Sequence, residues 1–236
     1  VINAAAYTAV DRAETERDLC WQCNAVAPGT VAELCRDIDA FLVHYSTDYV
    51  FSGEGSTPWR EDDSISPCNH YGSSKADGER RIRESACRHL ILRTSWVFAP
   101  EGKNFLLTMM ALFRSRAEVS VVADQLGAPT SSDLVARATA RLIERRAEGT
   151  IHVTAEGTCS WFEFATWIRD ECVKRSPGEA WANVRPIPSS DYPTPARRPK
   201  NSRLSGEKLQ QALGVPQSSW QDDARAVMNE IWLKPR

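Results

Sequence analysis

Three short apolar runs mark the first hundred residues, at 1–5, 41–46 and 90–94. They are too short for helices and do not alternate strictly, the pattern of parallel strands buried on both faces. The sequence between them has helical character. Residues 11–37 are mostly helical, with Pro28-Gly29 expected to kink or split the segment. Residues 71–86 form a charged helix carrying Glu79, Arg80, Arg81, Arg83 and Glu84. Strand-helix alternation of this kind predicts a doubly wound α/β sheet. Beyond Phe98 the spacing predicts an amphipathic helix over 104–116, a strand over 119–123 and a helix over 133–146. A strand over 151–154 and a helix over 161–174 follow, and the proline-rich stretch 177–203 reads as one long loop. The chain therefore divides into a sheet domain, 1–98, and a smaller lobe, 99–236, partly interleaved with the sheet.

Composition narrows the class. A chain of 236 residues can bury an ample core, and a net charge of -2 argues against nucleic acid or an anionic membrane as partner. No apolar run approaches the roughly 20 residues of a membrane span. Seven scattered cysteines do not make a disulfide framework, so a reducing cytoplasm fits. Cys20 and Cys23 have zinc-like spacing without a second pair, and read as helix residues. Glu61-Asp62-Asp63 reads as a solvated turn, and His44, His70, His89 and His152 show no ligand or triad spacing.

The chemistry concentrates at the predicted strand ends, where ligands bind in such sheets. Those ends are Ala4-Ala5-Ala6-Tyr7-Thr8, Ser46-Thr47-Asp48 and Thr94-Ser95-Trp96. Small residues let a ligand approach the backbone, and hydroxyls supply directional hydrogen bonds. Tyr71-Gly72-Ser73-Ser74-Lys75 follows, its tyrosine 24 residues after Thr47. A phenol and an ammonium four residues apart share one helix face. There the ammonium is expected to lower the tyrosine pKa, so that the phenol can exchange a proton with an alcohol or sugar oxygen. Tyr-x-x-x-Lys alone is a common surface pair, and the strand context is what gives it weight. Thr47 is also suited to capping the turn after it, and Trp96 to core packing.

Together these segments resemble the extended short-chain dehydrogenase/reductases and, within them, the dTDP-4-dehydrorhamnose reductase family. The resemblance runs from Val1 to about Trp232. It rests on Asn3-Ala4-Ala5-Ala6-Tyr7-Thr8-Ala9-Val10-Asp11, His44 through Phe51, Tyr71 through Lys75 and Arg93 through Phe98. Asp124-Gln125-Leu126-Gly127-Ala128-Pro129-Thr130 and Tyr192 through Leu204 complete it. It implies a Rossmann-like NAD(P)-binding domain and reduction of the C4 ketone of dTDP-6-deoxy-L-lyxo-4-hexulose to dTDP-L-rhamnose with NADPH or NADH. Tyr71 would protonate the C4 oxygen, Lys75 would tune it and hold the nicotinamide ribose, and Thr47 would bond the reacting oxygen. Ala6, Tyr7, Thr8 and Tyr45 would line the dinucleotide. Asp48 and Trp96 would face the sugar, and Asn104, Gln125 and Arg197 the nucleotide-sugar. Related dehydratases carry glutamate where Tyr49 stands here, so the resemblance favours reduction over elimination. A homodimer and a Mg²⁺ requirement are compatible with the family, although no residue pattern here supports the metal.

One family feature is absent from the sequence. A dinucleotide fold uses G-x-G-x-x-G after its first strand, and neither the opening Val1-Ile2-Asn3 nor Phe51-Ser52-Gly53-Glu54-Gly55 supplies it. The expectation is a sheet lacking its first strands, with 1–5 left as an open edge and a silent fragment or regulatory relative as the alternative to an enzyme. The residue that reads the ribose 2′ position would lie in that part, so the choice between NADPH and NADH is open.

Overall fold

The computed structural model describes residues 1–233. Its central sheet holds β1 (Ile2–Asn3), β2 (Leu42–Thr47), β3 (His89–Thr94) and β8 (Gly149–His152) in the order β1-β2-β3-β8, every pair parallel. Alternate residues face opposite layers. Val43, Leu90, Leu92 and Ile151 pack on α5 (Ser132–Glu144) and α7 (Glu207–Leu213) through Ala138, Leu142, Leu209 and Leu213. Leu42 and Ile91 pack on α2 (Ala27–Asp37) and α3 (His70–Glu84) through Ala32, Cys35 and Ile82. Helices on both faces of a parallel sheet are the doubly wound arrangement that the apolar runs predict.

Among the described residues β1 pairs with β2 alone. Val1 is 59% and Ile2 55% exposed, as expected of an open edge. Exposed Leu19, Leu34 and Ile38 add apolar surface on the first helices.

Within 11–37 the expected break takes an unexpected form. α1 (Arg17–Trp21) runs through a π-helical turn, Gln22–Val26, directly into α2. Pro28 has no N–H and its ring crowds the carbonyl four residues back, at Asn24; the wider π turn accommodates both. The helical path therefore continues past Pro28.

The second lobe has its own core. α4 (Phe105–Ser115), α6 (Trp161–Arg175) and α8 (Trp220–Leu233) enclose Phe113, Phe164, Ile168 and Met228, joined by β5 (Glu118–Val122). The segment expected to be one long loop contains β10 (Asn183–Ile187), parallel to β5. Pro186 is tolerated because the two strands form a sheet of their own, where β10 is an edge. Four further short strands are β4 (Val97–Phe98), β6 (Leu126–Gly127), β7 (Thr130–Ser131) and β9 (Cys159–Ser160). β4 pairs with β7 and β6 with β9.

Candidate active site

Thr47 ends β2, and Tyr71 and Lys75 stand one turn apart on α3. The helix starts where it does because Asn69 caps it, its Oδ1 accepting the Gly72 N–H at 2.8 Å. Two glycines bring the helix close to its neighbours. A Cβ on Gly72 would lie 2.2 Å from the Tyr49 carbonyl oxygen, and one on Gly78 would lie 2.1 Å from that of Asn24. Thr47, Tyr71 and Lys75 are all buried, and the Thr47 hydroxyl lies close enough to the phenol to lower its pKa. Thr47 also caps the turn that follows: its Oγ1 accepts the Tyr49 N–H at 3.2 Å and donates to Asp48 Oδ1 at 3.0 Å.

The electrostatics differ from expectation at one point. Burial raises the Tyr71 pKa, the Thr47 hydroxyl offsets part of the rise, and Asp48 and Tyr49 add to it. The predicted lowering by Lys75 is thus corrected. Lys75 turns its ammonium away, donating to the Tyr45 carbonyl at 2.6 Å with His44 Nε2 at 3.3 Å. Burial brings its own pKa down to about 8, against the pull of Glu79. Tyr71 is accordingly a protonated phenol at neutral pH, the form a proton donor requires.

Beside these groups lies a cleft of roughly 370 Å³ lined by Ala4, Ala6, Thr8, Tyr45, Tyr71, Lys75 and Thr94, and closed by Ser132, Val135 and Ala136 of α5. Thr94 Oγ1 is buried there without a protein partner, so the cleft offers a polar ligand a free hydroxyl. Of the residues expected to line a dinucleotide, Ala6, Thr8 and Tyr45 do line it. Tyr7 is pinned beside it: Asn24 Oδ1 accepts the Tyr7 N–H at 2.9 Å, Asn24 Nδ2 donates to the Tyr7 carbonyl at 3.0 Å, and the Tyr7 hydroxyl donates to Glu16 at 2.7 Å. Asn24 also donates to Ser74 Oγ at 3.1 Å, which fixes the 4–8 segment to the catalytic helix. Nothing in the sequence singles out Asn24 or the α5 residues, since a polar helix residue and a helix face from the other lobe carry no local pattern.

The residues expected to face the sugar divide. Asp48 is fully buried, its Oδ2 meets no donor, and burial lifts its pKa to about 6, with Ser202 and Thr47 holding it back. Trp96 sits at φ 52°, its ring stacked on Trp161 at 3.6 Å and flat against Gly127. Asn104 is committed to its helix: Oδ1 accepts the Leu107 N–H and Nδ2 donates to the Ala99 and Glu101 carbonyls. Gln125 donates to Ser189 Oγ at 3.1 Å. Arg197 pairs with Glu54 at the surface, and its neighbour Arg198 turns inward instead. Arg198 donates to Asp11 at 2.6 Å and to the Tyr49 hydroxyl at 3.0 Å. The Tyr49 ring meets the Tyr71 ring edge-on at 5.5 Å. Glu61, expected to be solvated, accepts the His152 N–H at 2.8 Å, and its carbonyl accepts from the buried Arg93 at 3.1 Å. Among the described residues no cluster of His, Cys, Asp and Glu could hold a metal ion, and no helix is long and apolar enough to cross a membrane.

Comparison with known proteins adds sequence and fold evidence. A family model described as the RmlD substrate binding domain matches residues 1–232. A dTDP-4-dehydrorhamnose reductase of Shigella flexneri is 41% identical over 237 residues, covering 98% of this chain and 79% of its own length. One from Burkholderia thailandensis is 44% identical over 232 residues, covering 93% and 78%. The crystal structure of a dTDP-4-dehydrorhamnose reductase from Bacillus anthracis in complex with NADP superposes with a TM-score of 0.91 at 38% identity, covering 97% of this chain and 79% of that one.

Proposed function

The chain belongs to the RmlD substrate binding domain family of dTDP-4-dehydrorhamnose reductases, and we propose that Thr47, Tyr71 and Lys75 carry its chemistry. The activity is reduction of the C4 ketone of dTDP-6-deoxy-L-lyxo-4-hexulose to dTDP-L-rhamnose with NADPH or NADH. The nicotinamide cofactor, when bound, supplies the hydride. Ala6, Thr8, Tyr45 and Lys75 would hold it: the strand-end residues are small, the Thr94 hydroxyl is free, and the cleft opens beside the phenol. Tyr71 hands its proton to the nascent alkoxide, and Thr47, within reach of the phenol, holds the same oxygen. Lys75 would hold the nicotinamide ribose beside the phenol. The observation that carries this reading is the buried, protonated Tyr71 that lines this cleft together with Lys75, its phenol close to the Thr47 hydroxyl behind the lining.

Tyr49, at the position where a dehydratase places its extra carboxylate, holds Arg198 and supports the Tyr71 ring. Ketone reduction needs one hydride and one proton, which the site provides without a second acid. Asp48 and Trp96 would meet the sugar, and the seven free cysteines suit a reducing cytoplasm.

The test is Tyr71→Phe. Removing the proton donor while keeping the ring should lower kcat by about 10²–10⁴-fold and leave KM for the sugar nucleotide within a few-fold. NADPH consumption with the 4-keto sugar at near wild-type rate would refute the assignment.

A further inference from the structure

Tyr71, Lys75 and Glu79 follow one another at four-residue intervals on α3 and form one buried stripe. Tyr71 and Lys75 line the cleft. Glu79 stands one turn further on, wholly buried, and its carboxylate is pinned. Arg93 of β3, itself buried, donates from Nε to Oε1 at 2.9 Å and from Nη2 to Oε2 at 2.8 Å. Arg83 donates to Oε2 at 3.1 Å. The Arg93 guanidinium is held in turn, its Nη1 donating to the Glu61 carbonyl at 3.1 Å and its carbon lying 5.0 Å from the centre of the Phe51 ring. Burial alone would raise the Glu79 pKa, but the arginine contacts bring it below the ordinary glutamate value. The group is therefore a carboxylate at neutral pH.

Stability does not account for such a pair. Desolvating two charges costs about as much as their attraction returns, and an apolar pair of similar volume serves a core as well or better. What the carboxylate does have is a buried cation as its neighbour on the stripe. The Lys75 ammonium donates to the Tyr45 carbonyl at 2.6 Å and has His44 Nε2 at 3.3 Å. Burial opposes that charge, bringing its pKa down to about 8. Most groups that face Lys75 carry no charge to offset this. Tyr71 on the same helix keeps its proton, and Cys20 from α1 is a thiol whose pKa burial raises. His44 from β2 is neutral, its pKa brought down to about 3, first by burial. Glu79 is the ionised acid among them, and it draws the lysine toward the ammonium. In a low-dielectric interior a charge acts at such range without touching.

We propose that Glu79 is a positioning residue for the reaction: its buried carboxylate, fixed in place by Arg93, keeps Lys75 an ammonium inside the fold. Glu79 acts through Lys75 and touches no substrate. The proposal rests on the assignment of Lys75 to the site. An ammonium has three protons to donate, so that one spent on Tyr45 leaves two for a ribose hydroxyl or other acceptor in the cleft. A neutral amine has one donor fewer.

The test reads the ligand-free protein first, so its failure is distinguishable from failure of the reductase assignment, which Tyr71→Phe decides. With ¹³C-labelled lysine, the Lys75 signal is identified by its loss in Lys75→Met. In the wild type it should titrate at about 8. Glu79→Gln keeps the shape and removes the charge, and should lower that titration by about one pH unit, a tenfold loss of proton affinity. Glu79→Asp keeps the charge and should hold most of the wild-type value. Because Glu79→Gln leaves Arg93 unpaired in the core, the double variant Glu79→Gln/Arg93→Gln replaces the ion pair with an uncharged amide pair, and its Lys75 titration should be lowered as well. In the holoenzyme the alkaline limb of kcat/KM against pH should move down with the lysine. A Lys75 titration still at about 8 in the folded double variant would overturn the proposal. So would a lowered titration with an unmoved alkaline limb, since Glu79 would then not serve the reaction.

Discussion

Asp48 shows how one side chain's burial becomes a measurable dependence on pH. Its carboxyl is raised from 3.8 to about 6, first by burial. A carboxyl with a raised folded pKa binds its proton more tightly in the native state. The stability it contributes is complete below about pH 3.8 and is lost as the pH rises through about 6. That rise corresponds to about 3 kcal/mol at roughly 1.4 kcal/mol per pKa unit. Asp48→Asn removes the titration, so the variant should gain on the wild type by about 2–3 kcal/mol between pH 4 and pH 8 in denaturant unfolding. An equal difference at both pH values would mean that the carboxyl is solvated or fully paired. The position of Asp48 was legible in the sequence, as were Thr47, Tyr71 and Lys75, because strand ends and an i,i+4 spacing are local patterns. The direction of the Tyr71 shift was not, since it depends on the depth of burial and on where Lys75 points. Asn24 was invisible for a related reason: its importance lies in contacts 17 and 50 residues away.

At the scale of elements, the close contact between α3 and the π turn makes a sharp prediction. A Cβ on Gly78 would lie 2.1 Å from the Asn24 carbonyl oxygen, a backbone atom that cannot swing aside. Gly78→Ala should therefore destabilise the protein by about 1–3 kcal/mol, despite alanine's better helix propensity. Gly178 is a control, since nothing lies within 4 Å of its added Cβ, and Gly178→Ala should stay within about 0.5 kcal/mol. Equal unfolding midpoints for the two variants would show that α3 can move away from the turn. The sheet strands and α3 to α6 were readable from periodicity, because each presents one or two apolar faces to a core. β10 was not: Asn183-Val184-Arg185-Pro186 is polar and proline-bearing, tolerable only at an edge whose partner β5 lies far away in sequence. The uninterrupted path through Pro28 was also unreadable, since a π turn has no residue signature of its own.

At the scale of the whole molecule, the proline-rich segment of the second lobe closes onto the sheet domain, and one arginine ties it to the side of the site. The Ala196 N–H donates to Asp11 Oδ1 at 3.3 Å, and Asn69, the cap of α3, donates to the Arg197 carbonyl at 2.8 Å. Arg198 completes the clasp through Asp11 and Tyr49, and Tyr49 braces Tyr71. The sequence reading placed Arg197 toward the nucleotide-sugar, whereas Arg198 is the one that turns in; adjacent residues in irregular chain have no period to say which of two does so. The consequence is a contrast between neighbours. Arg197 is 67% exposed and paired only with an exposed Glu54, so Arg197→Ala should change KM for the sugar nucleotide less than about threefold, as expected of a surface ion pair. Arg198→Ala removes two hydrogen bonds of a charged donor, leaving Asp11 Oδ2 and the Tyr49 hydroxyl without the guanidinium, each such bond contributing on the order of 1.5–3 kcal/mol. With the loop loosened, KM for the sugar nucleotide should rise by about tenfold or more. Because the brace on Tyr71 is lost as well, kcat should fall, while KM for NADPH changes less. Arg198→Lys should not rescue the variant, since a single ammonium cannot reproduce the guanidinium fork that spans Asp11 and Tyr49. Loss of affinity in Arg197→Ala with an unaffected Arg198→Ala would show that the loop turns over when substrate binds, exchanging the two arginines.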